Sequence, residues 1–589
     1  MYIDIVPNRN SAPAILLRES YRDENGKVKK RTLANLSAMR LEEAYKMRAV
    51  LKGAAVADQP LAEAFEVIES KAHGNVAAVL GVMERLKFPS LLARSDSEER
   101  RNALALIAGR ILAPSSKLAL SRELTGSAST LAEELKLDAD LDENDLYLSM
   151  KWLWQRQEKV QQRLAKSNLS EGSVILYDLS SSYYEGQHCE IAKRGHNRDG
   201  KKGKTQINYG VLTNSEGCPV AVEVYPGNVS DPSTVADQLR KLRKQFGLKS
   251  VTIVGDRGML TSKQLELAQE DETLKDFSWV SALRSDQIKK LLNSGTIQPE
   301  LFDQRSLLEI TSDEFPGERL VVCRNPELAQ RRSHTREDLL NATQTVLEQL
   351  VSAVNRSKNP YHGKDKIAAR IQREAAKYKV LKHFEIEIGE QSLSYQRNEE
   401  AIASEAKLDG FYVVRARNIA QETMNEDALV ATYKSLSGVQ RVSRNMKTSL
   451  LHVRPIFHRK SDMVRAHIFI CMLAAHVQWQ MEQSLKELLF ADEELAVQKQ
   501  KRTSAVHKTD RSESAKRKGA TKRTTSNLPA HSFKTLLKDL GSLCKNICQP
   551  NISGAPTFTK ITQPSSLQRR VFELLKLTPP RVCSQKSTS

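Results

Sequence analysis

Two short apolar runs that each end in an aspartate restrict the fold of this chain more than any other feature. The first is Val174-Ile175-Leu176-Tyr177-Asp178, which leads into the hydroxyl-rich Leu179-Ser180-Ser181-Ser182. A short apolar run bounded by turn-forming residues reads as a buried strand. A carboxylate on its last residue then sits at the C-terminal edge of a sheet, where open α/β sheets gather their chemistry. Alone, Asp178 reads more readily as the cap of the next turn. The second run, Val251-Thr252-Ile253-Val254-Gly255-Asp256, repeats the design and leads through Arg257-Gly258-Met259 to a helix expected from Ser262. Two strand-terminal carboxylates in consecutive units of one sheet read as a functional pair.

Residues 171–289 carry this pattern as the first part of a catalytic core. Between the two runs lies a basic, glycine-containing loop, 193–204, that opens on Lys193 and Arg194. Two antiparallel strands follow at 207–213 and 219–225, then a helix over 234–246 after the start signal Pro232. Residues 290–408 read as an insertion that does not continue the sheet. It has a short strand at 320–323, a long basic helical stretch over 337–378 broken near Asn359-Pro360, and a strand at 383–388. The core resumes over 409–490 with a strand at 410–415, a helix over 426–447, an extended stretch at 451–457 and an apolar helix at 464–477. Within 426–447, Tyr433, Leu436, Gln440 and Lys447 share one helical face.

Ahead of the core, residues 1–40 form a β-hairpin region, with a turn expected at Asn25-Gly26. Residues 41–170 read as helical, with Leu61, Phe65, Val67 and Ile68 on one amphipathic segment. Binding of DNA and plain core packing account for these helices equally well. Behind the core, 491–526 has the composition of a basic disordered linker. Residues 527–589 read as a small helical tail with helices at 533–543 and 567–577.

Composition bears on partners. The 589 residues include 90 Lys and Arg against 71 Asp and Glu, a net charge of +19. An excess of that size favours a polyanion, because each phosphate neutralised releases counterions. The seven cysteines are scattered, and Cys544 and Cys548, one helical turn apart, have no second Cys/His pair to complete a zinc site. Reduced thiols are the expectation. Met1 leads straight into a strand-like run without the marks of a signal peptide, and no stretch is long and apolar enough for a membrane span. These features predict a soluble, cytoplasmic protein with no membrane partner.

A strand ending in Asp, two hairpin strands, a second strand ending in Asp, an insertion, and a late helix with a third polar ligand form the ribonuclease H-like layout. The chain closely resembles bacterial insertion-sequence transposases of the DDE class, in the subgroup with a Tyr-(2)-Arg-(3)-Glu-(6)-Lys motif. The resemblance rests on Tyr177-Asp178-Leu179-Ser180-Ser181-Ser182, Gly255-Asp256-Arg257-Gly258-Met259, Tyr433-Lys434-Ser435-Leu436, Arg454-Pro455-Ile456-Phe457-His458 and Arg465-Ala466-His467. It implies an α/β fold: a ribonuclease H-like catalytic core with a mixed insertion before the last core helix, plus helical N-terminal and C-terminal parts.

The resemblance makes Asp178 and Asp256 catalytic metal ligands for two Mg²⁺ ions, with Mn²⁺ as a substitute. It puts Gln440 where the family has its catalytic Glu, and Leu436 where the subgroup often has Arg. It assigns DNA contacts to Tyr433, Lys447, Arg454, Arg257, Lys193 and Arg194. Its partners are double-stranded DNA, as inverted-repeat ends and as target, and a second copy of the chain in a homodimer on DNA. It implies a bacterial, nucleoid-associated enzyme that cleaves DNA and transfers strands in cut-and-paste transposition. Gln440 removes a negative charge from the site and so opens two other readings: a catalytically impaired DNA-binding copy, and a related structure-specific nuclease.

Overall fold

The computed structural model describes residues 1–9, 11–53, 63–196, 198–201, 203–259, 277–302, 305–551 and 555–581. At the N-terminus, Tyr2–Val6, Ala14–Arg22 and Val28–Asn35 form a three-stranded antiparallel sheet. The expected turn is there. Gly26 takes a positive φ of 74°, and the Asp23 carboxylate accepts from the backbone N–H of Asn25 and Lys27. A small core of Ile3, Ile15 and Ala44 closes under it.

The next segment departs from expectation. Residues 65–72, read as part of an amphipathic helical region, form a strand, Phe65–Ala72. Its partner is Cys544–Pro550, which pairs in turn with Phe558–Ile561, so the C-terminal part is not a purely helical tail. Cys544 and Cys548 therefore lie along a strand, not one helical turn apart. The pairing joins residues more than 470 positions apart, which local periodicity cannot register.

Beyond this strand the helical reading holds. α1 (Glu98–Leu112), α2 (Lys117–Thr125) and α3 (Glu143–Trp154) are each started by a capping side chain, from Ser97, Ser116 and Asp142. α1 is buried almost all round and packs on α3, and both pack on the helix Ser461–Ser484, so these helices share one core with the central sheet. No single described helix is long and apolar enough to cross a membrane.

The central sheet has eight strands: β1 (Val174–Tyr183), β2 (Gln206–Asn214), β3 (Pro219–Pro226), β4 (Thr252–Gly255), β5 (Ser278–Ala282), β6 (Leu307–Ile310), β7 (Arg319–Arg324) and β8 (Phe411–Arg417). Their spatial order is β6-β7-β8-β5-β4-β1-β2-β3. β1, β2 and β3 are antiparallel neighbours, whereas β1, β4 and β5 run parallel. The insertion therefore does continue the sheet. β8 pairs antiparallel to β5, and β7 and β6 add beyond it. Arg415 of β8, 2% exposed, is ion-paired to Glu318 beside it. The rest of the insertion has a separate small core, built from the helix Pro326–Val354, the helix Lys364–Glu374 and a hairpin of Phe384–Ile388 with Leu393–Arg397.

Alternation along β1 assigns its two faces. Ile175, Tyr177 and Leu179 pack with Val235, Leu239 and Leu242 of α4 (Asp231–Lys244). Leu176 packs on the other side, against Val439 and Val442. That side is covered by α5 (Glu426–Lys434), α6 (Ser437–Arg444) and the long buried α7 (Ser461–Ser484). The expected continuous helix over 426–447 is thus two helices followed by a wider turn, Asn445–Ser449. α6 starts where it meets the turn between β2 and β3. Gly217, at φ 90°, faces Gly438 so closely that a Cβ there would lie 3.2 Å from the Gly438 Cα.

Residues 491–526, expected to be a disordered linker, are ordered. They include helices Leu495–Lys501 and Glu513–Thr521, with Ser512, Ser514, Lys518 and Thr524 buried. The Lys518 ammonium donates to the carbonyls of Lys486 and Ala491 and pairs with Glu493. Lys434 of α5 likewise donates to the carbonyls of Ala505 and Val506, at 2.6 Å each. Charge density alone suggests a solvated chain, but these cations have individual partners.

Candidate active site

The parallel register of β1 and β4 pairs Tyr177 with Gly255, so Asp178 and Asp256 follow side by side. Asp256 stands just past the end of β4, whereas Asp178, expected at a strand end, lies within β1, which runs on to Tyr183. Asp178 shares the face of Leu176 and points toward α6. Burial pushes its carboxyl up to about 6. The negative charges of Asp256 and Asp231 add to the rise, while Ser443 and the Arg198 guanidinium oppose it. Asp256 accepts from the backbone N–H of Arg257 at 2.8 Å, and the Arg257 side chain is exposed. Tyr433, on α5, lies near Asp256. Burial first, then the Asp256 charge, pushes its phenol up to about 12.

On α6, the side chain facing Asp178 is Ser443, whose buried hydroxyl has no partner other than that carboxylate among the described residues. Gln440 lies one turn earlier and is exposed, and Leu436 is buried in the core. The helix expected from Ser262 falls outside the described residues.

Lys447 and Arg454, expected at DNA, both meet one carboxylate. Asp199 is ion-paired to each of them, and the backbone N–H of Tyr183 donates to its other oxygen at 2.9 Å. The Asp199 side chain is 2% exposed. Burial lowers the Lys447 ammonium below its usual range, and Asp199 works against that. Beside it, Arg198 pairs with Asp231 at the start of α4. The basic loop is thus tied across the site by Arg198 and Asp199, while Lys193 and Arg194 stay exposed at its start. Neither Asp199, Asp231 nor Ser443 stood out in the sequence. Asp199 had a signal, being the one acid within residues 193–204. Asp231 and Ser443 had none.

The donor set suits a hard divalent cation in part. Asp178 and Asp256 offer adjacent carboxylates whose mutual repulsion a cation would relieve, and the Ser443 hydroxyl beside them has no other partner. Among the described residues no three Asp, Glu, His or Cys side chains converge closely enough to hold a metal. The third side of the site is a hydroxyl and, a turn away, a carboxamide.

A mixed sheet with one aspartate within a strand and another just past the end of its parallel neighbour, covered by a helix from after an insertion, is the setting in which DNA-transferring enzymes of the DDE class work. The chain belongs to that class: residues 169–477 match the family model for the transposase DDE domain. Residues 3–64 match the model for the N-terminal domain of IS1634 family transposases, and the two together make this an insertion-sequence DDE transposase. Among solved structures, a cryo-EM structure of the piggyBac transposase synaptic complex with hairpin DNA matches at 10% identity and a TM-score of 0.32, covering 79% of this chain and 76% of that one. No curated protein matches this chain.

Proposed function

We propose that this transposase binds the terminal inverted repeats of its element and cleaves and joins DNA there, with Asp178 and Asp256 as the reacting centre of a ribonuclease H-like core. The observation that carries this reading is the register that sets the two carboxylates side by side, with Asp178 raised to about 6. Two such groups are unfavourable together unless a cation lies between them. Asp178 and Asp256 would hold Mg²⁺, or Mn²⁺ in its place. When bound, such ions would supply charge stabilisation to the phosphodiester under attack.

The chain's own groups divide the remaining work. Asp178 and Asp256 would fix where the cations lie, and only through those would they orient the scissile phosphate, since bare carboxylates repel it. The Tyr433 hydroxyl, neutral at physiological pH, can donate to a phosphate oxygen near Asp256. Lys447 and Arg454, held on Asp199, keep positive charge beside the path of the strand. Exposed Lys193, Arg194 and Arg257 lie where backbone phosphates would be neutralised. Water attack would free a 3′-hydroxyl at the element end, and that hydroxyl would then attack target DNA. Two protomers would hold the two ends, on the bacterial nucleoid.

A second reading is favoured by one feature: Gln440 is an exposed carboxamide, and among the described residues no third carboxylate completes the pair. In this reading the chain binds its DNA ends without cutting them. A Mg²⁺-dependent excision and strand-transfer assay on cognate ends, comparing the natural chain with Gln440→Glu, separates the two. Activity in the natural chain supports the first reading. Activity only in Gln440→Glu supports an impaired copy, and binding without cleavage in both refutes the catalytic role.

A further inference from the structure

A strongly basic cavity lies outside the aspartate pair. α1 and α2 meet at 102°, and Arg110 and Lys117 sit on either side of that corner. Arg110 is 7% exposed and Lys117 4% exposed. Neither has an ion-pair or hydrogen-bond partner for its side chain among the described residues. A buried cation is ordinarily paired, because removing it from water is costly without a counter-charge.

Both residues line a cavity of about 950 Å³, together with Lys151, Arg454, Arg459 and Lys460; Asp462 is the one acid in its wall. The N-termini of two helices also meet there. α2 begins at Lys117 with the Ala119 N–H already capped by Ser116, whereas α7 begins after Lys460 without a side-chain cap from the preceding residue. Free N–H groups at a helix start favour an anion. The histidines nearby do not compete for it. Burial, then Lys117 and Arg110, push His458 down to about 3, and His467 is lowered well below its usual value. Burial and Arg110 bring the Lys117 amine down to about 7, as expected of an ammonium held beside a like charge.

Two further features point to the kind of anion. Phe457 is 63% exposed at the cavity wall, and Tyr147, also exposed, stands edge-on to His458, so aromatic faces border the cations. Arg454 belongs both to this wall and to the Asp199 cluster, which makes the cavity contiguous with the candidate active site. Cations beside aromatic rings in a cavity of nucleotide size fit a phosphate whose base stacks alongside.

We propose that the cavity at the α1–α2 corner is a phosphate-binding site built on Arg110 and Lys117, filled by a phosphate group of a nucleic-acid strand. The anion chemistry stands on these residues alone; only the strand as its source rests on the function proposed above.

The test uses the full chain and inorganic pyrophosphate, followed by calorimetry, with Lys117→Met, Lys460→Ala and the remote, exposed Lys289→Ala compared. The natural chain should bind pyrophosphate, Lys117→Met at least tenfold more weakly, Lys460→Ala a few-fold more weakly, and Lys289→Ala unchanged. No binding by the natural chain, or equal loss in Lys289→Ala, overturns the site. So does unchanged binding in a folded Lys117→Met. Should Lys117→Met fail to fold, Lys460→Ala against Lys289→Ala decides. Single-stranded oligonucleotides with a 5′-phosphate or a 5′-hydroxyl then identify the source. A preference for the phosphorylated end that Lys117→Met loses marks a terminal phosphate. Equal binding of both, weakened in Lys117→Met, marks an internal phosphodiester. Neither measurement needs strand transfer, so a failed transposition assay leaves the outcome interpretable.

Discussion

Replacing Lys117 by Met should stabilise the protein, and by an amount that depends on pH in a defined direction. The ammonium ordinarily titrates near 10.5 and is held at about 7 here, first by burial and then by Arg110. Between those values the unfolded chain binds a proton at this position that the folded chain does not. Wild-type stability therefore rises with pH across the window from 7 to 10.5 on account of this residue. At about 1.4 kcal/mol for each tenfold, the full displacement caps the effect near 5 kcal/mol, with about 3 kcal/mol of it falling between pH 7 and 9.5. Met is similar in length, carries no charge and tolerates irregular packing. The advantage of Lys117→Met over wild type should thus be close to full at pH 7, level off below it, and shrink by about 3 kcal/mol by pH 9.5. Urea unfolding of both proteins at half-unit steps, without phosphate, measures it. Above pH 7 His458, at about 3, stays neutral and does not contribute. Parallel profiles, or a gap that widens with pH, would refute the reasoning that Lys117 is buried as a charge without a partner.

Two further substitutions examine the neighbourhood of the aspartate pair. Asp199→Asn leaves Lys447 and Arg454 facing a neutral amide; because both cations are partly exposed, the loss should be about 2–4 kcal/mol, below that of a fully buried pair, read as a lowered unfolding midpoint. Gly217→Ala puts a side chain at a positive φ and against the Gly438 Cα, so thermal unfolding should show a loss of about 1–3 kcal/mol; an unchanged midpoint would mean that α6 does not depend on this close approach.

How much of this molecule could be read before folding differs from residue to residue. Asp178 and Asp256 were legible because each ends a short apolar run, but only Asp256 stands at a strand end. β1 continues through Ser180, Ser181 and Ser182 to Tyr183, so Asp178 lies mid-strand, the serines being held in the ladder by β2. Membership of the DDE class was legible too, since the motifs are short and contiguous. The strand Phe65–Ala72 was not, because what makes it a strand is Cys544–Pro550, from the other end of the chain. β6 and β7 looked like parts of a separate insertion because nothing in their own residues says that β8 offers them an edge.

The same division runs through the candidate sites. The sequence by itself determined the aspartate pair, the basic character of the loop after β1, and the carboxamide at Gln440. Only the tertiary structure decided that Ser443 faces Asp178, and that Lys447 and Arg454 converge on Asp199 from about 250 residues away. It also decided that Arg110 and Lys117 are buried without a counter-charge at one corner. The physical reason is common to all of these. Strand propensity and capping are set within a few neighbouring residues, whereas burial, and with it the strength of every charge and hydrogen bond, depends on which distant segment packs on top.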